Sequence, residues 1–564
     1  MKKTTVKNIF AIVCFLFVYS LNSLQAQQPP NPSTVHPDRF LVIFEPTASQ
    51  ADIDAFKISY NCIQVDKSVG PIEAFLMEVK SFPFPTGQKL PNGNPEVLGN
   101  IHEVVQSSRK RTKVKGSGED YLTYIEVHPG TDNLGSSNPP LPPAYSCIDY
   151  NVETIVGNLS DGEQTIVGFL DTGIGVDGNG QIINPVDDLT LFNNFIDPAF
   201  LGYNYMDGAI PAEPHDDHGH GLHVASVAAS LIDSPYNTIK FQFYKTHDAD
   251  GEGFLSNVIF AIDQGIMEGV KVFNASIGYN APHPDPLYPT PFQIALDHID
   301  DHDIILVAAA GNDSLSNDQI MFPTYPASFD HPHVISVGAM NCDYELIESS
   351  NHGPISVDLA APGDQIKGAH IHYHTPPGAS NPSNLVGRTG TSMAVPYVTA
   401  VAAMGMTHVS NPKADDVICA IISSTTFSAD LLKVGTSGYI NGPGTQAYLD
   451  SAYFPCSNEE DDGQDNLQMP EGSVHSVLMS SVEWQVSPNP FDDNLDIQFT
   501  LETPQNVSLR LLDVNGSVLQ QMQQTLENGK QQLNWNMSSV QQAGVYLLQI
   551  QLKDQVLVKK VVRR

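Results

Sequence analysis

Cysteine, tryptophan and basic residues are all scarce in this chain of 564 residues. It has 6 cysteines and 2 tryptophans, and 27 lysines and arginines stand against 63 aspartates and glutamates, for a formal net charge of −36. Such an acidic chain repels polyanions, which argues against nucleic-acid binding as its main role and favours a soluble protein in bulk solvent. Charge alone indicates nothing about chemistry.

Long apolar runs are also missing, except near the start. Met1-Lys2-Lys3 precedes an apolar run from Ile9 to Leu21 that ends near Ala26. A basic start, a short apolar run and a small exit residue predict a secretory signal peptide over residues 1–26. A signal anchor is the alternative, but the run is short for a membrane span. We therefore expect export, with no transmembrane segment in the mature protein.

The cysteines fit this location. Once Cys14 leaves with the signal, five remain, and none forms a Cys-x-x-Cys pair, which disfavours a zinc knuckle. Disulfides form outside the cell, but their pairing does not follow from the sequence.

Residues 144–456 have the sequence pattern of an α/β domain. Short apolar strands alternate there with helical segments, which predicts a mostly parallel sheet covered by helices on both faces. Functional residues are then expected outside the carboxyl ends of the strands. Strands are predicted at Thr165–Leu170, Ile239–Tyr244, Val270–Ala275, Ile304–Ala309 and Val334–Gly338, and helices at Gly221–Ile232, Leu255–Met267 and Pro291–Asp300.

The regions on either side of this predicted domain have different sequence patterns. Residues 27–143 give a strand–helix–strand pattern over 36–80 and a proline-rich stretch at 138–143 that indicates a boundary. The basic cluster at 109–115 is open to three interpretations: a maturation cleavage site, a contact with the acidic core, or a solvated loop. An acidic linker is predicted over 457–481, followed by an all-β domain over 482–564.

Ser392 begins a run of small residues after Gly390-Thr391. A serine at a helix start lies beside free backbone N–H groups and the positive end of the helix dipole, which can stabilise a developing oxyanion. A plain N-cap serine on a buried helix is the alternative interpretation.

Asp171 follows an apolar strand in Asp-Thr-Gly, which is also the signature of aspartic proteases. That class needs two such carboxylates to share a proton, and the sequence has no second copy. An Asp held against an imidazole N–H would instead fix the tautomer of a catalytic histidine.

His220 lies in a crowd of histidines with His215, His218 and His223. A zinc site would be a second interpretation, but no His-Glu-x-x-His arrangement is present. The residues alone leave open which of these histidines is a general base, and a family resemblance selects His220.

Together the three blocks, in the order Asp171, His220, Ser392, resemble the subtilisin-like serine peptidases, or subtilases. The resemblance implies a serine endopeptidase with these residues as its triad, and Asn312 in Ala310-Gly311-Asn312 as an oxyanion donor. The chain departs from the family at Leu222 and Ser226, neither of which supplies a catalytic proton.

The same resemblance implies a substrate cleft. Gly251, Glu252 and Gly253 resemble its edge strand, and Ser276, Ile277 and Gly278 resemble the strand beside the specificity pocket, to which Ala310 and Gly311 also belong. Peptide substrates would bind there by β-augmentation. No cofactor is required for this chemistry. Structural calcium is possible at an unidentified place, because family members often carry it and an Asp-x-Asp-Gly stretch is present at 248–251.

Two flanking segments resemble known modules. Residues 27–143 resemble the inhibitory propeptide of subtilases, with an ordinary accessory domain as the alternative. Residues 482–564, with Ser487-Pro488-Asn489-Pro490 and Gly544-Val545-Tyr546-Leu547, resemble the C-terminal sorting domain of the type IX secretion system. A carbohydrate-binding or adhesive β-sandwich is the alternative there.

The resemblance predicts an extracellular or cell-surface protein whose partners are peptide or protein substrates and the type IX machinery. The alternative from another class is a catalytically silent subtilase fold that acts as a surface adhesin. An α/β-hydrolase esterase would need Gly-x-Ser-x-Gly and the order Ser, Asp, His, and neither is found.

Overall fold

A computed structural model of the protein describes only part of the chain. The described residues are 33–89, 95–125, 164–175, 195, 201–206, 213–232, 238–285, 287–318, 321–369, 385–408, 413–450, 484–487, 494–501, 503–512, 518–537, 540, 544–552 and 556–563. The predicted signal peptide, the proline-rich boundary and the acidic linker lie outside them.

The N-terminal region folds into a small α+β unit. Its strands are β1 (Val35–Phe44), β2 (Cys62–Lys67), β3 (Ala74–Val79), β4 (Phe84–Lys89), β5 (Pro95–Leu98) and β6 (Val114–Ile125), and its helices are α1 (Gln50–Ser59) and α2 (Ile101–Ser108). Strands β2, β3, β1 and β6 are antiparallel neighbours in that order. The predicted strand–helix–strand pattern is present as β1, α1 and β3.

The central region is a parallel α/β domain. Its strands are β7 (Thr165–Asp171), β8 (Gly202–Asn204), β9 (Ile239–Lys245), β10 (Glu252–Phe254), β11 (Val270–Ala275), β12 (Ile277–Asn280), β13 (Ile305–Ala309), β14 (Thr324–Tyr325), β15 (Val334–Met340), β16 (Leu359–Pro362), β17 (Ile366–Ala369), β18 (Leu385–Arg388), β19 (Thr426–Phe427) and β20 (Gly438–Tyr439). Its helices are α3 (His220–Leu231), α4 (Leu255–Glu268), α5 (Pro291–Asp301), α6 (Thr391–His408), α7 (Ala414–Ser423) and α8 (Gly442–Leu449).

Nine of these strands form the main sheet, in the order β19-β20-β16-β15-β13-β11-β7-β9-β8. All neighbours are parallel except β19 and β20. One face packs against α3, α6 and α7, and the other packs against α4 and α5. The predicted strands and helices agree with the observed bounds to within two residues at each end. This agreement follows from burial, because strands covered on both faces appear as continuous apolar runs.

Strand β1 joins the N-terminal unit to this domain. Phe40 and Val42 point into a cluster with α1 and α2, whereas Leu41 and Ile43 point into the cluster that contains α4 and α5. Successive strand residues face opposite sides of a sheet. The apolar run in β1 therefore fills two cores at once, and the N-terminal sheet lies over the helices of the central domain.

Helix α6 contains a proline in its second turn. Pro396 is the sixth residue of the helix rather than a first-turn residue. Proline lacks the N–H that would bond to the carbonyl four residues earlier, and that carbonyl belongs to Ser392. The carbonyl of Ser392 accepts a hydrogen bond from Ser276 Oγ at 3.0 Å instead. The proline thus leaves the turn that contains Ser392 hydrogen-bonded to Ser276, the residue between β11 and β12, rather than to its own helix.

The C-terminal region is all β. Strands β21 (Trp484–Ser487), β22 (Asn494–Leu501) and β25 (Gly529–Asn536) form one sheet, and β24 (Val518–Leu526), β23 (Gln505–Leu512), β26 (Gly544–Gln551) and β27 (Val556–Arg563) form another. Apolar residues of both sheets share one core.

Two further findings bear on location and redox state. Among the described residues, no helix is both long and apolar enough to span a bilayer. Cys342 and Cys419 are disulfide-bonded. Cys62 is a buried free thiol, and burial raises its pKa to about 12.

Candidate active site

Asp171 is the last residue of β7, a central strand of the main sheet, so its side chain emerges at the predicted carboxyl edge. The side chain is buried, and burial raises its pKa to about 6, partly offset by the Thr172 N–H, which donates to Oδ1 at 2.7 Å.

His220 is the first residue of α3 and contacts this carboxylate directly. Its Nδ1 lies 2.7 Å from Oδ1 and 3.0 Å from Oδ2 of Asp171. A bond of this kind fixes which ring nitrogen carries the proton and orients the other. Gly221 allows the close approach of helix and strand, because a Cβ there would lie 2.3 Å from the Gly173 carbonyl oxygen.

Asp216 holds this helix start in place, and sequence reasoning missed it. Its Oδ1 accepts from the Gly219 N–H at 2.7 Å and from the Thr172 hydroxyl at 2.9 Å, while Oδ2 accepts from the Leu222 N–H at 2.9 Å. A carboxylate at a helix N-terminus satisfies free N–H groups and complements the dipole. One side chain thereby ties the loop after Asp171 to the helix that begins with His220.

The neighbouring histidine has a structural position. His223 Nε2 lies 3.1 Å from the backbone oxygens of both Ile366 and Val386, and burial lowers its pKa well below the usual value. The departure at Ser226 is also accommodated, since its hydroxyl donates to the His223 carbonyl at 2.7 Å and accepts from the Ala369 N–H at 2.8 Å.

Ser392 is the second residue of α6, which packs against α3. It is buried, and its hydroxyl donates to the Ser276 carbonyl at 2.9 Å. A hydroxyl has a single proton to donate. In this arrangement the Ser392 hydroxyl donates it to the Ser276 carbonyl and not to an imidazole nitrogen. Catalytic hydrogen bonds often form only when a substrate is bound.

Asn312 follows β13 and is held against the same helix start. Its Oδ1 accepts from the Thr391 N–H at 2.9 Å, which directs the amide nitrogen to the opposite side. The preceding Gly311 has φ +106°, and a Cβ there would lie 2.4 Å from Asn351 Nδ2. The Ala310 N–H donates to the Val337 carbonyl at 3.0 Å. These contacts fix Asn312 beside the residue that precedes Ser392.

The predicted cleft residues line a groove that strand β6 of the N-terminal unit occupies. On one side β6 is antiparallel to β10, with Glu252 opposite Tyr124 and Gly253 opposite Thr123. The Ile125 N–H also donates to the Gly251 carbonyl at 3.2 Å. The cleft therefore holds an extended segment of the chain itself.

On the other side, β6 is antiparallel to β12. Ile277 lies opposite Ile125, and Gly278 lies opposite Tyr124. Ser276, one residue before Ile277, is the residue that hydrogen-bonds Ser392 in both directions. Strand β6 consequently runs toward Ser392. Sequence reasoning did not predict this occupancy.

Two buried carboxylates lock the N-terminal unit onto helix α4. Asp120 in β6 accepts from the N–H and hydroxyl of Ser256 at 2.9 and 3.0 Å, and burial raises its pKa to about 6. In the other direction, Asp263 of α4 accepts from the backbone N–H groups of Gly70 and Ile72. The N-terminal unit thus supplies one carboxylate that accepts from the backbone of α4, and α4 supplies one that accepts from the backbone of the N-terminal unit.

The basic cluster contacts its own unit. Arg109 Nε donates to the Ser117 carbonyl at 2.8 Å, and Arg111 reaches Tyr60 and Glu96. These contacts do not support a contact between the two arginines and the acidic core.

No metal-binding group of three or more His, Cys, Asp or Glu side chains occurs in the part of the chain that the structure describes. In the Asp-x-Asp-Gly stretch, Asp248 Oδ1 accepts from the N–H groups of Asp250 and Glu252 at 2.9 and 3.0 Å. Calcium binding stays a prediction.

Comparison with known families gives two matches. The subtilase family model matches residues 162–462, more than half of the chain, and the model of a secretion system C-terminal sorting domain matches residues 485–564. The predicted α/β fold and the predicted sorting domain are both confirmed. The sorting domain indicates a protein that is secreted or held at the cell surface.

Several curated proteins are similar to the chain. "Subtilisin-like protease 2" of Plasmodium falciparum is 31% identical over 255 residues, which cover 43% of this chain but only 17% of that protein. "Subtilisin-like protease 1" of Pseudogymnoascus destructans is 25% identical over 76% of this chain and 94% of its own length. "Subtilisin DY" of Bacillus licheniformis is 29% identical over 40% of this chain and 77% of its own length. On the family match, the chain belongs to the subtilase family.

Proposed function

We propose that the protein is a secreted serine endopeptidase. The observation that carries this proposal is the bond of 2.7 Å between His220 Nδ1 and buried Asp171, on a helix that packs against the helix start bearing Ser392. Ser392 attacks the peptide carbonyl, and His220 takes its proton and returns it to the leaving amine. Asp171 keeps His220 in the correct tautomer and stabilises the imidazolium.

The oxyanion is held by the Asn312 side-chain amide and the Ser392 backbone N–H. The Asn312 side chain is held beside the start of α6, because its Oδ1 accepts from the N–H of Thr391, the residue before Ser392. Donors fixed in advance need no reorganisation during reaction, and the positive end of the α6 dipole adds to their effect. Before attack, the Ser392 hydroxyl has to turn from the Ser276 carbonyl toward His220.

Residues 27–143 act in this proposal as an inhibitory propeptide. The support is that β6 fills the cleft with two antiparallel pairings, in the manner of a peptide substrate. The buried pairs Asp120–Ser256 and Asp263–Ile72 hold it there. Other proteins and peptides would be the substrates after its removal.

The sorting domain is proposed to engage the type IX secretion machinery, which carries the protein to the cell exterior.

No cofactor takes part in the chemistry, and structural calcium is proposed to support the fold. A melting temperature that EGTA leaves unchanged would remove calcium from the account.

The test compares casein hydrolysis by the purified protein and its Ser392→Ala variant, with intact-mass analysis of both. Ser424→Ala, at the end of α7, is the matched control and should keep full activity. We expect activity in the parent and the control and none in Ser392→Ala. If the folded, processed parent is as inactive as Ser392→Ala on casein and a broad peptide library, the peptidase proposal fails in favour of a silent adhesin.

A further inference from the structure

Thr123 of β6 makes a side-chain contact at the floor of the cleft. Its Oγ1 lies 2.9 Å from Nε2 of His247, and both side chains are buried. By contrast the next residue, Tyr124, is 36% exposed. The strand therefore offers one side chain to the protein interior and the following one to solvent, as the two-residue period of a strand requires.

His247 follows β9 and its ring is held on its other edge as well. Its Nδ1 lies 2.8 Å from the hydroxyl of Thr246, and the backbone N–H groups of both residues donate to the Asp171 carbonyl at 2.8 and 3.3 Å. Gly253 also lies against the imidazole ring, since a Cβ there would lie 3.3 Å from His247 Cδ2. The imidazole has little room to move.

The ring is neutral, because burial lowers the pKa of His247 to about 3. A neutral imidazole has one donor and one acceptor nitrogen. Each nitrogen faces one hydroxyl, and a hydroxyl can serve either role. Both ring nitrogens therefore have a hydrogen-bond partner, and Nε2 keeps its partner only if the residue at position 123 of the cleft strand has a hydroxyl.

We propose that His247 is a specificity-determining residue that selects threonine or serine at the substrate position that Thr123 occupies. The inference rests on the proposed function, in which β6 lies where a substrate lies. A valine in place of Thr123 has nearly the same shape but leaves the buried Nε2 without a partner. A site built to hydrogen-bond a substrate group discriminates strongly against the analogue that lacks the group.

The test uses four internally quenched peptides with the sequence of residues 121–130: the native one and its Thr123→Val, Thr123→Ser and Tyr124→Phe variants. The mature wild-type protein should cleave the valine peptide with kcat/KM about tenfold lower, the effect of one unpaired buried polar group. A Thr123→Ser peptide should retain most of the activity. A Tyr124→Phe peptide is the matched control and should be cleaved like the native one, because that side chain faces solvent.

The His247→Leu variant should lose or reverse the preference for threonine over valine. The ratio of the two kcat/KM values is the readout, because His247 adjoins Asp171 and the absolute rate could fall for other reasons. The wild-type comparison decides the matter even if this variant does not fold.

Equal cleavage of the threonine and valine peptides by wild type would overturn the inference. So would cleavage of casein with neither peptide cut, because the sequence of β6 would then not be a substrate. In both cases the peptidase function stands. If casein and the peptides are all left intact, it is the proposed function that fails, and the inference fails with it.

Discussion

Replacing Asp171 by asparagine should remove most of the activity while leaving the fold in place. The carboxylate Oδ1 accepts from both the Thr172 N–H and His220 Nδ1, and Oδ2 lies 3.0 Å from the same nitrogen. If asparagine keeps its oxygen at Oδ1, its NH₂ group takes the Oδ2 position. A donor there favours the tautomer in which Nδ1 accepts and Nε2 carries the proton, so His220 no longer acts as a base.

The expected loss is about 10⁴-fold in kcat, the effect of the same change in serine proteases with this triad. At about 1.4 kcal/mol for each factor of ten, this is about 5.5 kcal/mol of transition-state stabilisation. Substrate affinity should change little, because the cleft strands β10 and β12 carry the binding contacts.

The pH profile provides a second readout. Burial raises the pKa of Asp171 to about 6, so the carboxylate is charged above that pH and protonated below it. Wild-type kcat/KM should therefore fall as the pH drops through about 6, and the residual activity of Asp171→Asn should not follow the same ionisation of a carboxylate.

The assay is chromogenic peptide hydrolysis from pH 5 to 9, with melting temperatures recorded for each variant. Asp358→Asn is the matched control, since desolvation raises the pKa of this partly buried carboxyl to about 6 as well, and it accepts from the Ser336 N–H at 2.7 Å. It should alter stability but not the pH profile. An Asp171→Asn variant that retains more than a tenth of wild-type kcat would refute the reasoning.

Two further predictions concern maturation and the oxyanion. Ile125 pairs with Ile277, the residue after Ser276, and Ser276 hydrogen-bonds Ser392. The maturation cut is therefore expected one residue after Ile125, between Glu126 and Val127. A processed chain whose intact mass gives another first residue would contradict this. Asn312→Ala should lower kcat by about 10²–10³, as measured in subtilisin, with little change in KM; a rise in KM at unchanged kcat would instead indicate a role in substrate binding.

The sequence was sufficient for the core because the core residues carry strong local signals. Strands β7 and β11 are largely buried and mostly apolar, and helices α4 and α5 have the spacing of amphipathic helices. The bond between Asp171 and His220 also agrees with the expected geometry.

Other features depend on partners that are distant in the chain. Thr123 meets His247, and Asp120 meets Ser256, more than a hundred residues away in both cases. No local periodicity reports such a contact. Strand β24 is hard to predict for a different reason: it is rich in glutamine and lacks the apolar alternation of its neighbour β23. Its pairing with β23 defines it rather than its own composition.

In the proposed mechanism, Ser392 is a nucleophile activated by His220. The most direct measurement is labelling of the mature protein with a fluorophosphonate, followed by peptide mapping, beside the His220→Ala variant. We expect one label per chain, on Ser392, and almost none in the variant. Labelling of the variant at the wild-type rate, or no labelling of a folded and processed wild-type protein, would contradict it.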